Sequence, residues 1–275
     1  MSLFYLNQKA IRNTYYNLAL EEALCLNLCK HDLEGGLRFW WNRDAIIVGL
    51  SDPIEKNIPG NVLEKFRNEF YVLQNSFHKK VFLNPSIARR ASGGGTVYQE
   101  LGWNLNYSIF INLKKHKELF PINPSYEILS NLVLGALQDS GIRAELAGKS
   151  DLSIRSQSGN LLKISGNAQF RKRDCLVHHG TLILQPDLIY RVKNLLKHPP
   201  KEPEYRKGRT HEEFITHLPD NFHLGNFQES LKIKIEEYTK SSYNTGLVEF
   251  TRAVKGSIPS LLQEKYLNSE FIFSR

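Results

Sequence analysis

The chain has 275 residues and a net charge of +8, and 41% of its residues are apolar, enough for one large α+β domain with a true core. Cys25, Cys29 and Cys175 are too few and too irregular for a disulfide framework, and without a CxxC pair they exclude a zinc site of that kind. No run of five like charges marks a nucleic-acid arm, no apolar run approaches the ~18 residues of a membrane span, and polar Asn7, Gln8, Lys9 and Arg12 leave no signal-peptide core. The expectation is a cytoplasmic protein whose basic surface meets an acidic partner, with neither nucleic acid nor membrane involved.

Asn17 to Lys30 places Leu20, Ala23, Leu24 and Leu28 on one face, which predicts an amphipathic helix with Glu21 and Glu22 near its start. Leu37 to Trp41 and Ala45 to Leu50 are β-rich runs around Asn42-Arg43-Asp44, read as a hairpin. Ile58 to Pro85, with a polar stretch at Asn75 to Lys80, reads as an insertion or long excursion. Leu105 to Ile111 is a strand. Ser125 to Ser140 is the clearest helix, with Asn123 or Ser125 as its cap and Gly141 as its left-handed C′ residue. Strands are expected at Asp151 to Ser156 and Leu161 to Phe170 around the turn Ser158-Gly159-Asn160, and again at Val177 to Leu184. Pro199 to Arg209 is too rich in proline for a long element and reads as a surface strap, followed by helices at Gln228 to Lys240 and Ile258 to Tyr266. The order fits an α+β fold with a mixed or antiparallel sheet flanked by helices rather than βαβ units.

Three blocks carry the functional signal. Arg89 to Gln99 reads RRASGGGTVYQ: Gly93, Gly94 and Gly95 point to a loop pressed against a ligand, and Arg89 and Arg90 suggest that part of the ligand is anionic. Lys163 to Gln169 reads KISGNAQ, and His178-His179-Gly180-Thr181 follows. There is no GxxxxGK[ST] and no GxGxxG after a strand, which excludes a P-loop and a Rossmann site. His211-Glu212 is followed by His217, too far on for a zinc-protease helix.

Together with NLALEE at Asn17 to Glu22, Asn106-Tyr107-Ser108 and GKSDL at Gly148 to Leu152, these blocks resemble the biotin/lipoate protein ligase family in its lipoate-protein ligase A and lipoyltransferase branch. The resemblance implies a single catalytic domain over residues 1–275, without a separate C-terminal accessory domain; either a separate chain supplies that domain or the full ATP-dependent reaction is not performed. It implies transfer of a lipoyl or octanoyl group, as acyl-AMP made with ATP and Mg²⁺, to one lysine of a lipoyl-domain protein or H protein. By the same resemblance Lys163 is the catalytic lysine beside the carbonyl and phosphate oxygens. The acyl group and its activated end would be lined by Arg90, Ser92, Gly93, Gly94, Gly95, Thr96, Val97, Gly166, Asn167, Ala168, His179 and Gly180. Asp151 would help to hold Mg²⁺, although Ser150 stands where such ligases commonly carry asparagine, and Gln99-Glu100 where many carry histidine-aspartate. Trp40 and Trp41 are candidates for the border of the acyl site.

Three alternatives stand beside this: an octanoyltransferase drawing on an acyl-carrier thioester, through Cys175 or without a cysteine; a non-catalytic acyl-binding protein on the same fold; and a biotin ligase, whose glycine-rich loop differs. The strap residues Lys201, Arg206, Lys207 and Arg209, lacking an evident core role, are expected to meet the acidic acceptor, with Arg206 and Arg209 as its binding residues.

Overall fold

A computed structural model describes residues 2–10, 12–75 and 84–274. In chain order the elements are β1 (Ser2–Asn7), α1 (Thr14–Leu28), β2 (Gly35–Trp40), β3 (Ala45–Val48), α2 (Ile54–Asn57), α3 (Gly60–Asn75), β4 (Ser86–Arg89), β5 (Val97–Gln99) and β6 (Asn104–Asn112). They continue with α4 (Ile122–Asp139), β7 (Glu145–Ala147), β8 (Asp151–Arg155), β9 (Leu161–Lys172), β10 (Cys175–Ile183), α5 (Asp187–Leu195), α6 (His211–Phe214), α7 (Leu224–Thr239), β11 (Ser242–Tyr243), α8 (Val248–Leu261) and α9 (Ser269–Phe273).

The large sheet runs β11-β1-β2-β6-β10-β9-β8-β7, parallel among its first three strands and antiparallel beyond, and a small sheet runs β4-β3-β5. Alternation along β6 sets the layers. Leu105, Tyr107, Ile109 and Ile111 point to the face covered by α4 and α7, while Phe110 points with Phe4, Val177 and Phe170 to the core shared with α1, α8 and the small sheet. The fold is therefore α+β with mixed sheets flanked by helices, as expected.

Several local expectations change. The runs around Asn42-Arg43-Asp44 do not form a hairpin: β2 pairs with β1 and β6, whereas β3 pairs with β4 and β5. Asn42 is buried and held by Asn17 Nδ2 at 2.8 Å, and Asp44 turns the chain at φ 32°. The connection is an arch from one sheet to the other, because both strands are buried on every residue and each needs neighbours of its own. Within the supposed excursion, Leu63, Phe66 and Phe70 are buried along one face of α3, a helical stripe that turns that segment into core; residues 76–80 of the polar stretch lie outside the described residues. Helix α4 begins after Pro121, so neither Asn123 nor Ser125 caps it; the Ser125 hydroxyl instead donates to Ile122 O. Its C-terminus closes as expected. Gly141 sits at φ +82°, its N–H bonded to Gln138 O and that of Ile142 to Leu137 O, a Schellman pair. No helix among the described residues is long and apolar enough to cross a membrane.

Candidate active site

Between the two sheets lies a cavity of about 240 Å³. Its floor is the inner face of the large sheet, where Asn106 on β6, Thr181 on β10 and Gly166 on β9 stand side by side in the strand register. Its roof is Ile47 of the small sheet and the segment from Gly94 to Gln99, and one side is the apolar stripe Leu188, Val192 and Leu196 of α5 and the residue after it. Leu18 and Trp40 close the inner end, and the strap from residue 199 to 209 crosses the mouth with Pro199, Lys201, Pro203 and Arg206.

The glycine loop takes its shape from Arg90. This buried guanidinium donates from Nη2 to Gly93 O at 2.6 Å and Gly95 O at 2.9 Å, from Nε to Ser92 Oγ at 2.9 Å and from Nη1 to Ile47 O at 3.2 Å. Burial lowers its pKa to about 10, so it stays charged at neutral pH. Gly94 stands at φ +87°, and a Cβ there would lie 3.1 Å from Arg90 Nη2; Gly93 and Gly95 face open space. Only the middle glycine is thus demanded by the protein's own backbone. Arg89 differs from the anion-binding expectation: fully buried, it donates to Gly49 O at 2.7 Å, Asp52 O at 2.9 Å and Ile272 O at 3.1 Å, tying the loop base to the C-terminal segment.

Successive residues of a strand face opposite sides, and this separates the two histidines. His178 points away from the cavity, packs edge-on against Tyr126, and has Nδ1 3.1 Å from Gln169 Nε2; burial pushes its pKa down to about 3. His179 lines the cavity. Its Nε2 meets Ser92 Oγ at 2.7 Å and its Nδ1 lies 3.0 Å from both oxygens of Glu21, which also accepts from Ser108 Oγ at 2.5 Å. Burial alone would raise the Glu21 pKa, but His179, Ser108 and Arg38 together bring it below the usual carboxylate range. Ser92 lies behind the wall, where it couples Arg90 to His179. Glu21 was read as a helix-dipole residue and as part of the NLALEE block, without a site role; an acid on the apolar face of an amphipathic helix was the signal for a buried partner.

Lys163 reaches the cavity from β9, with Nζ 2.9 Å from Asp151 Oδ1. A Cβ on Gly166 would stand 2.9 Å from that Nζ, so the glycine makes room for the lysine. Gly180 is equally constrained: a Cβ there would lie 2.0 Å from Asn167 Oδ1 and 2.4 Å from Tyr107 Oη. Asn167 accepts from Tyr107 Oη and donates to Ser150 O at 2.7 Å, so Ser150 contributes its carbonyl here. Asp151 Oδ2 accepts from Tyr205 Oη of the strap at 2.8 Å. No group of three or more His, Cys, Asp or Glu poised for a metal exists among the described residues. A lone carboxylate such as Asp151 suits Mg²⁺ only where nucleotide phosphates and water complete the shell.

Arg90, Gly94, Gly95, Thr96, Val97, Lys163, Gly166, Asn167, Ala168, His179 and Gly180 thus meet at one cavity, with Ser92, Gly93 and Asp151 immediately behind them. Trp40 is there too, whereas Trp41 packs on the opposite core. The α5 stripe and Tyr205 lay outside the sequence motifs, and Gln99, Asn106 and Thr181, although inside them, had no site role assigned. Arg206 and Arg209 depart from the free basic strap that was expected. Arg206 is buried over the Phe214 ring, with Nε bonded to Arg209 O at 2.9 Å; Arg209 donates to Leu161 O and Tyr205 O, each at 3.0 Å. Both hold the strap down. Cys175 does not border the cavity: it is buried near Cys25, and burial raises its thiol pKa far from nucleophilic use.

The chain is 32% identical over 193 residues to lipoate–protein ligase 1 of Staphylococcus aureus, covering 70% of this chain and 49% of that protein. It is 30% identical over 174 residues to lipoate-protein ligase A of Blochmanniella pennsylvanica, 63% of this chain and 43% of that one. It spans about half the length of these curated relatives. In fold it resembles a lipoate-protein ligase A crystallised with ATP (TM-score 0.72, 20% identity, 99% of both chains) and a bipartite archaeal lipoate protein ligase from Thermoplasma acidophilum (TM-score 0.71, 19% identity, 100% of this chain and 98% of that one). Residues 13–232 match the model of the lipoyl protein ligase A/B catalytic domain, and the chain belongs to that family.

Proposed function

We propose that this chain transfers a lipoyl or octanoyl group from acyl-AMP to one lysine of a lipoyl-domain protein. The observation that carries this is the meeting of Lys163 with an apolar cavity under the glycine loop. The α5 stripe, Ile47 and Val97 take the hydrocarbon and exclude water; Lys163 stands where the chain's activated end leaves the apolar wall.

An acyl carboxylate attacking the α-phosphorus of ATP forms the mixed anhydride and releases pyrophosphate. The acceptor amine then adds to the carbonyl carbon, the C–O bond to AMP breaks, and the amine's proton is lost to solvent. Negative charge grows on the α-phosphoryl and departing pyrophosphate oxygens in the first step, and on the carbonyl oxygen and the departing AMP phosphate in the second. The ammonium of Lys163, held by Asp151 until substrate arrives, neutralises it. Mg²⁺, held by Asp151 together with nucleotide phosphates, would add to that neutralisation. Glu21, through His179 and Ser92, keeps Arg90 and the loop in place.

Lipoate-dependent exchange of labelled pyrophosphate into ATP tests the first step, and transfer from synthetic lipoyl-AMP to a lipoyl domain tests the second. Activity in either supports the reading. Absence of both, with transfer from an acyl-carrier thioester instead, would replace acyl-AMP as the donor.

A further inference from the structure

Asp151 and Lys163 meet across a strand pairing that the backbone ladder alone does not secure. Asp151 pairs with Gly166 and Leu152 with Ser165, but Ser153 pairs with Lys163, so Ile164 is an extra residue in β9. This bulge aims Lys163 to the same side as Gly166 and interrupts the ladder between the lysine and its carboxylate. On the other side of Asp151 lies the turn from Gly148 to Ser150, and then β7, three residues long at the edge of the sheet. So short an edge strand gives the turn few bonds of its own.

Asn167 supplies the hold that is missing. Its backbone N–H, at 3.2 Å, and its Nδ2, at 2.7 Å, both donate to Ser150 O, the carbonyl of the peptide that leads into Asp151. A carbonyl only accepts, so the amide atom facing it is nitrogen and the other is oxygen. That oxygen accepts from Tyr107 Oη. Tyr107 does not line the cavity: it is fully buried on the face under α4 and α7, edge-on to Phe227, where the ring alone needs only apolar neighbours. Its hydroxyl reaches Asn167 over Gly180, where a Cβ would collide with both.

We infer that Tyr107 is a positioning residue: by orienting Asn167 it fixes the Ser150–Asp151 peptide and so keeps Asp151 opposite Lys163. The contacts of Lys163 and Tyr205 with the carboxylate, at 2.9 and 2.8 Å, leave the Asp151 backbone free to shift, whereas the Asn167 bonds do not. The consequence for turnover rests on the acyl-transfer reading above; the hold on the turn does not.

Tyr107→Phe removes only the hydroxyl, and Asn167→Ala removes the amide. Amide hydrogen exchange without ligand, read by mass spectrometry over residues 148–152, should quicken about tenfold in each variant and no further in the double variant. A loss of global stability alone would quicken the slow core amides and leave local opening of the turn unchanged. Turnover in lipoate-dependent pyrophosphate exchange should fall about tenfold in each, with lipoate Kd near the wild-type value. Wild-type hydrogen exchange over residues 148–152 in Tyr107→Phe, or additive effects in the double variant, overturns the inference. If Tyr107→Phe does not fold, Asn167→Ala decides, since an unchanged turn in that variant overturns it equally. Wild-type protein inactive in both pyrophosphate exchange and transfer would count against the acyl-transfer reading, and the hydrogen-exchange rates would still decide the positioning.

Discussion

Lys163 carries the chemical proposal, and its environment shows why substitution should separate catalysis from stability. It is an ion-paired side chain at the edge of the cavity rather than a core residue. Lys163→Met should lower kcat/KM for transfer by at least about a hundredfold, roughly 3 kcal/mol of transition-state stabilisation, while the melting temperature moves little. Paired kinetics and thermal unfolding check both halves. Cys175→Ser should keep most activity, since the thiol is buried away from the cavity; a mass-detected acyl adduct on Cys175 would contradict this. His178 makes a pH prediction. Its folded pKa, pushed by burial to about 3, lies below the unfolded value near 6.5, so the folded state resists a proton that the unfolded chain accepts. The stability it contributes is complete above pH ~6.5 and falls below it by at most about 1.4 kcal/mol per unit. Glu21 and Glu22, both held low, add their own loss only in more acidic solution. Urea titrations of wild type and His178→Gln between pH 7 and 5 should show a flatter profile for the variant.

The site is assembled from short elements, each tied down by buried polar groups. The glycine loop is braced by Arg90 from within and by the chain Glu21, His179 and Ser92 from α1 and β10. At Gly94, the φ of +87° and the neighbouring Arg90 Nη2 leave no place for a branched side chain. Gly94→Val should weaken acyl binding tenfold or more, read by calorimetry as a raised Kd; unchanged affinity would remove the loop from the acyl wall. Farther away, Glu22 accepts from Lys265 Nζ at 2.6 Å and Tyr266 Oη at 2.5 Å, fastening the C-terminal segment to α1 just as Arg89 fastens it to β4. The strap is likewise held, by Arg209 to backbone carbonyls and by Tyr205 to Asp151, and so stays over the mouth of the cavity.

For the whole molecule, a charge of +8 favours encounter with an acidic partner, which on the proposed reading is the acceptor domain. Since Arg206 and Arg209 are committed to the strap itself, exposed Lys207 beside them is the better probe. Acceptor kcat/KM should fall as salt rises through ~0.15 M, where the Debye length is about 8 Å, while acyl-acid affinity changes little. Lys207→Glu should raise acceptor KM and leave acyl-acid Kd unchanged. Equal movement of both constants would place the strap surface in the acyl site.

Much of this molecule was legible in the sequence because it rests on local rules. Leucine periodicity marked α1 and α4, Gly141 marked a helix end, Ser158-Gly159-Asn160 marked the β8–β9 turn, and the glycine loop with Lys163 and His179 marked the cavity. What tertiary structure alone decided are choices between partners far apart in the chain. A turn signal at Asn42-Arg43-Asp44 has the same composition whether the next strand folds back or crosses to another sheet, and burial on both faces selected crossing. An arginine reads as a charge, yet Arg89, Arg206 and Arg209 spend theirs on backbone carbonyls, because burial makes an unpaired donor costly. The orientation of the Asn106 amide was likewise invisible, since its polarity is relayed from Arg38 through Asn17, Asn42 and Gln99, and only the fold brings them into line.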